Sequence, residues 1–298
     1  MRRLNVLMTG NLGFVGSETQ RLLVSEGHNV IGYDIMDGKN ICDIIQLDNL
    51  IASMHPDQRP DRILHLAAIA RFSDADAAPD LAHQTNVLGT GNIAAIAQKY
   101  HIPVVYSSTG SVYMPIKQKP PITEEFWAGG NSVYGVTKHL GELLIKKCVP
   151  AAPYIILRYA HLYGKEKRMH GLIGGFVERI GRGLSPTLYG GKQSNDFTYI
   201  KDVARANMLA LTAPWDKWNQ TYNIGTGEEL TAKKAGEAVC TALGWPKDKV
   251  EIKEQRTVDP DRFAFDCTKA KVMLGFEAEF TFAKGLKDMF AEAPIQKA

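Results

Sequence analysis

Cysteine is scarce: Cys42, Cys148, Cys240 and Cys267 are the only four, and none stands close enough to another for the short spacings of a zinc site or redox motif. No metal is expected, and thiols used this way suit a reducing cytoplasm. No stretch approaches the roughly 20 consecutive apolar residues that span a bilayer, so a soluble chain without membrane partners is expected. The opening Met1-Arg2-Arg3-Leu4 has a basic start, but its apolar run stops at Met8, which argues against an export signal. Basic residues outnumber acidic ones by only 35 to 32, with no clustered basic arm, so a nucleic-acid partner is not expected. Internal repeats and low-complexity tracts are missing too, which sets aside solenoids and disordered tails other than a polar end after Glu292.

What remains is an ordinary globular composition, 45% hydrophobic over 298 residues, enough for one large domain or two closely joined ones. Short apolar runs at Leu4 to Met8, Asn29 to Tyr33, Arg62 to Leu66, Val104 to Ser107 and Tyr154 to Leu157 read as buried strands separated by helical patterns. Parallel strands need crossover helices, so this alternation predicts an α/β fold: a Rossmann-like, doubly wound parallel sheet over residues 1–160. From 161 to 298 the rhythm weakens and Gly and Pro become frequent, which predicts a smaller α/β substrate lobe, part of whose chain returns to the first domain.

The first strand runs into Thr9-Gly10-Asn11-Leu12-Gly13-Phe14-Val15-Gly16. Glycines at a strand-to-helix turn allow backbone N–H groups to approach a pyrophosphate and let the helix pack closely on the strand. The spacing is TGxxGxxG, one residue longer in its first interval than GxGxxG. Asp34 ends the second strand about 20 residues beyond the last glycine, where a carboxylate can accept the adenosine ribose hydroxyls. Ile35 and Met36 follow it rather than an arginine, so NAD is favoured over NADP.

After the fourth strand, Ser107-Ser108-Thr109-Gly110-Ser111 puts hydroxyls at the carboxyl edge of the sheet, where such folds bind ligands. Tyr134 and Lys138 fall four residues apart in a helical stretch reaching about Cys148, and so share a face. An ammonium beside a phenol favours the phenolate, which would lower its pKa and make proton abstraction efficient.

These segments, with HLAA at 65 to 68, NVLGT at 86 to 90, LRYAHLYG at 157 to 164 and NDFTYIKDVA at 195 to 204, resemble the extended short-chain dehydrogenase/reductase family of nucleotide-sugar enzymes. The resemblance implies Tyr134 as general acid and base, Lys138 as its partner and ribose ligand, and Thr109 as the partner of the substrate hydroxyl. It places Gly10, Leu12, Gly13, Phe14, Val15, Gly16, Asp34, Asn40, Ile41, Leu66, Ala67, Ala68, Ser107, Tyr159 and His161 along the dinucleotide. Ser111, His161, Asn195, Arg256 and Arg262 are the implied substrate contacts beside Thr109 and Tyr134, with Lys165, Lys167 or Arg168 as helpers.

Dehydratases of the family carry an acidic pair after the catalytic Thr or Ser, where this chain has Gly110-Ser111, so a 4-epimerase working through a keto sugar is the expected activity. A 4-keto-sugar reductase and a non-catalytic NAD-binding sensor are the alternatives. His161 replaces an Asn of many relatives and Asn195 an Arg, so the diphosphate contacts are expected to be rearranged. Helices near Leu81 to Tyr100 and Ser132 to Cys148 resemble those that pair in family homodimers.

Overall fold

The computed structural model describes residues 2–114, 119–165, 171–254 and 262–291. Five apolar runs form the strands β1 (Asn5–Thr9), β2 (Asn29–Tyr33), β3 (Arg62–His65), β4 (Val104–Thr109) and β5 (Tyr154–Tyr159). Short strands follow: β6 (His161–Tyr163), β7 (Thr187–Tyr189), β8 (Ser194–Asn195) and β9 (Phe197–Tyr199). The last three are β10 (Gln220–Ile224), β11 (Leu230–Thr231) and β12 (Glu251–Lys253). The helices are α1 (Phe14–Ser25), α2 (Ile44–Ala52), α3 (Phe72–Ala77), α4 (Pro79–His83), α5 (Thr90–Tyr100) and α6 (Val133–Lys146), then α7 (Gly171–Gly181), α8 (Ile200–Leu211), α9 (Ala232–Ala242), α10 (Thr268–Leu274) and α11 (Phe282–Ala291).

One sheet in the order β10-β5-β4-β3-β1-β2 forms the centre, and every neighbouring pair in it is parallel. Its faces follow the pleat: Val6 and Met8 look one way, onto Leu23 of α1 and Ala210 and Leu211 of α8, while Leu7 looks the other way, onto Ile51 of α2 and Ile93 and Ile96 of α5. Burial on both faces explains why these strands are nearly uninterrupted apolar runs. The order in which strands are added reverses between β1 and β3, which opens a crevice at their carboxyl ends.

After β5 the chain builds three two-stranded pairs, β6 with β9, β7 with β12 and β8 with β11, around α7, α9 and α11. These do not enclose a core of their own. Phe176, Leu188, Phe197, Val239, Phe282 and Leu286 join the same buried cluster as Val105, Ile155 and Leu157 of the sheet. Strand β10 returns to the sheet edge, pairing Gln220 to Ile224 against Ile155 to Tyr159.

Candidate active site

The glycine turn is held by close backbone approach. Gly10 takes φ +69° and donates its N–H to the Tyr33 carbonyl at 3.0 Å; a Cβ there would stand 2.7 Å from the Ala67 nitrogen, so only glycine fits. Gly16 likewise lies directly under the Gly10 carbonyl, where any side chain would collide. Gly13, in extended conformation, starts α1 with no side chain capping it and no acid in the first turn. Leu12 and Gly13 are exposed, Phe14 and Val15 half-buried. The first N–H groups of the helix are therefore open to an anion, with no side chain competing for them.

Asp34 is buried at the carboxyl end of β2, accepting the Leu12 N–H at 3.0 Å and the Met36 N–H at 2.9 Å. Two backbone donors orient the carboxylate, and each oxygen keeps lone-pair capacity for a diol. Across the crevice, Thr9 Oγ1 accepts from the N–H groups of Leu66 and Ala67, both at 3.2 Å, and lies 2.7 Å from His65 Nδ1. His65 Nε2 lies 3.0 Å from Thr90 Oγ1. With both Thr9 acceptor positions taken by amides, its hydroxyl proton goes to Nδ1, which leaves the Nε2–H to meet Thr90. Burial and the charge of Lys138 pull the His65 pKa down to about 3, so the ring is neutral. Asn86 completes this wall: it accepts the Ile69 N–H at 2.8 Å and donates to Thr137 of α6 at 3.0 Å.

The first turn of α6 delivers the phenol. Ser132 caps it, its Oγ accepting the Gly135 N–H at 3.0 Å, and Gly135 packs so tightly that a Cβ would meet the Ser111 carbonyl at 2.7 Å. That contact sets Tyr134 beside Thr109, the last residue of β4, whose side chain favours the ionised phenol. Thr109 Oγ1 also donates to Ser111 Oγ and accepts the Ser111 N–H, both at 3.2 Å. Phe72 of α3 covers the phenol ring edge-on, with centroids 5.5 Å apart. Lys138 is almost wholly buried, its Nζ 4.2 Å from the Tyr106 ring centroid.

The expected lowering of the phenol pKa is absent from the protein alone. Burial pushes Tyr134 up to about 12, opposed by the Thr109 hydrogen bond, and the same burial pulls Lys138 down to about 7 against the pull of Glu142. Desolvation dominates the phenol, and Lys138, whose own pKa is pulled below that of Tyr134 and whose Nζ lies over Tyr106, does not offset it. A further positive charge at the site is what would bring the phenol within reach of neutral pH.

Other residues read from the sequence are brought near, or spent elsewhere. Ser107 is buried in β4 and Ala68 half-buried after β3, both at the crevice. Ile41 packs into the core under Gly89, and the Asn40 side-chain oxygen accepts the Cys42 N–H at 2.9 Å in a local turn. The Tyr159 hydroxyl donates to Asn207 Oδ1 at 2.6 Å, and Asn207 in turn donates to Thr19 of α1. His161 is exposed with its ring against Phe197, and Asn195 pairs with Leu230 across β8 and β11. Arg262 is not a free cation: its Nε donates to Glu229 Oε1 at 2.6 Å and Nη2 to Oε2 at 2.5 Å, which holds that carboxyl down to about 2. Arg256, Lys167 and Arg168 lie outside the described residues.

Sequence reasoning missed the residues that carry the frame. Asp196 is fully buried and accepts from Thr226 N–H, Thr226 hydroxyl and Gly227 N–H, which clamps the loop after β10. Gly110 backs onto aromatic rings; a Cβ there would stand 3.0 Å from Phe263 Cε2 and 3.1 Å from Phe265 Cζ. Only the adjacency of Gly110 to Thr109 gave any signal for that contact.

The profile of the NAD dependent epimerase/dehydratase family matches residues 6–225. A putative UDP-glucose 4-epimerase of Methanocaldococcus jannaschii is 30% identical, over 95% of this chain and 96% of its own. Among solved structures, the UDP-glucose 4-epimerase of Thermotoga maritima with UDP-glucose aligns at TM-score 0.88 and 28% identity, covering 97% of this chain and 98% of that one. The dTDP-glucose 4,6-dehydratase of Bacillus anthracis in complex with NAD aligns at TM-score 0.83 and 25% identity, covering 99% and 96%. Other curated relatives are named decarboxylases. The glycine cradle and Asp34 fit a dinucleotide on their own geometry, and the chain belongs to the NAD-dependent epimerase/dehydratase family of extended short-chain dehydrogenases/reductases, with NAD as its cofactor.

Proposed function

We propose that the protein is a nucleoside-diphosphate-sugar 4-epimerase. The observation that carries this reading is the turn after Thr109, where Gly110 is closed off by Phe263 and Phe265 and Gly110-Ser111 rather than two acids follow Thr109 in the sequence. Elimination of water needs an acid for the leaving hydroxyl and a base for the neighbouring carbon. This turn offers one proton-transfer group and one hydroxyl partner, which suits reversible oxidation of a single alcohol. The presence of dehydratases and decarboxylases among the relatives makes that turn the point on which the reading rests.

Thr109 holds the sugar hydroxyl, and Tyr134 takes its proton as the C–H bond breaks. NAD, held by the glycine turn, Asp34 and Lys138, would supply the hydride acceptor and an added positive charge. The keto sugar turns over, and Tyr134 returns the proton to its oxygen as the hydride goes back to the opposite face of the same carbon. Lys138 supports the phenolate and holds the nicotinamide ribose. Ser111, His161 and Asn195 face the sugar diphosphate, joined by Arg262 when it exchanges Glu229 for phosphate and by Arg256. We place the enzyme in the cytoplasm, which its four free thiols suit, and as a homodimer through α4, α5 and α6.

The test is turnover of a panel of nucleotide hexoses, UDP-glucose first, followed by NMR without added reduced cofactor. An epimer forming at constant NAD supports the reading; stoichiometric consumption of reduced cofactor makes the protein a reductase and overturns it. Tyr134→Phe should lower kcat about 10²-fold or more with NAD affinity retained, whereas undiminished turnover removes Tyr134 from the chemistry.

A further inference from the structure

Beneath Lys138, one helical turn along α6, sits a carboxylate that the reaction does not touch. Glu142 is fully buried, and Arg158 of β5 grips it from both sides, Nε to Oε1 at 2.8 Å and Nη2 to Oε2 at 2.6 Å. Ser108, the residue before Thr109, donates to Oε1 at 2.6 Å. Arg158 also donates to the Tyr113 hydroxyl at 2.7 Å, which donates to Asn223 of β10 at 2.8 Å. His139 and Lys146 each stand 3.9 Å away on α6. An isolated buried carboxylate is expensive, so a charge retained here needs all of these partners.

We propose that Glu142 is a positioning residue that keeps Lys138 in its ammonium form, so that cofactor binding and catalysis depend on a carboxylate that contacts neither dinucleotide nor substrate. The inference rests on the assignment of Lys138 to the ribose. Residues i and i+4 of a helix are neighbours, and Lys138 and Glu142 are both buried on the same face of α6, where the carboxylate raises the lysine pKa against burial. The other groups facing Lys138 bring no negative charge: His65 on β3 is neutral, and Tyr106 on β4 and Tyr134 on α6 are phenols raised by burial. Arg158 holds Glu142 ionised against burial, which alone would protonate it. The Glu142 charge, kept by Arg158, thus acts to raise the Lys138 pKa against burial.

The experiment measures NAD affinity against pH, independently of turnover. In the wild type, affinity should fall as Lys138 loses its proton, and Lys138→Met should abolish that pH dependence. Glu142→Gln removes the attraction and strands the Arg158 cation, so the midpoint should move acid by about one pH unit, a tenfold change in the proton equilibrium. Glu142→Gln with Arg158→Met removes both charges and should move it acid by less, while Glu142→Asp should leave it near the wild-type position. A purely structural brace would shift melting temperature but not this ordering. An unmoved midpoint in folded Glu142→Gln, or the same displacement in the single and double variants, overturns the proposal. If the single variant does not fold, the double variant decides by whether its midpoint moves. If Lys138→Met keeps the wild-type pH dependence, the Lys138 assignment fails instead.

Discussion

At Lys138 the residue-scale physics sets stability against activity. Its pKa is pulled down to about 7 by burial, from an ordinary value of 10.5, so between those limits the unfolded chain binds more protons than the native one. Native stability therefore rises with pH across that window and is lowest, for this group, below about 7. Lys138→Met should raise the melting temperature of the protein without cofactor at pH 6 to 7 by several degrees, at about 2–4 °C per kcal/mol for domains approaching this size. Calorimetry checks it; a fall in melting temperature would mean that the cation contributes more over Tyr106 than its desolvation costs. Where the candidate residues would lie was legible, because Tyr134 and Lys138 share a helix face and the glycines sit at a strand end. How they titrate was not. The phenol shift comes from burial under Phe72, remote in sequence, and the Glu142–Arg158 contact joins a helix residue outside every motif segment to an arginine of LRYAHLYG whose partner that segment does not reveal.

At the scale of elements, the junction of β1 and β3 is held by one neutral imidazole between Thr9 and Thr90. The His65 pKa is depressed to about 3 against 6.5 when exposed, so the stability it contributes is full above about 6.5 and is lost as pH falls towards 3. Acid unfolding should accordingly begin near pH 6 and be steeper in the wild type than in His65→Asn, which has no group to titrate there; equal slopes from pH 6.5 to 4 would remove His65 as the cause. Strand positions in this half were readable to within two residues, since strands buried on both faces stay apolar from end to end. The pairs β6–β9, β7–β12 and β8–β11 were not readable. Strands of two or three residues are too short to show a period, and Asp196 supports that region through hydrogen bonds that leave no pattern in sequence.

For the whole molecule, the joined core explains why the second half could be anticipated only loosely. Strand β10 returns to a sheet edge set by residues more than sixty positions earlier, and the lobe shares its buried cluster with the sheet. The opposite face carries apolar groups that this core does not cover: Val136, Leu140 and Leu143 recur along one face of α6, with Leu81 and Leu88 exposed on the neighbouring helical segment. A second copy of the chain, meeting this face by a two-fold axis, would pair α6 and its neighbour with their counterparts and remove the patch from water. Leu140→Glu combined with Leu143→Glu would place two like charges of each subunit at such a seam, where burial without a partner is costly. Light scattering should then show dimers for the wild type and monomers for the double variant at micromolar concentration, with NAD binding kept because Tyr134 and Lys138 point to the other side of α6. A wild-type protein that is already monomeric would leave these leucines as ordinary surface residues and refute the pairing.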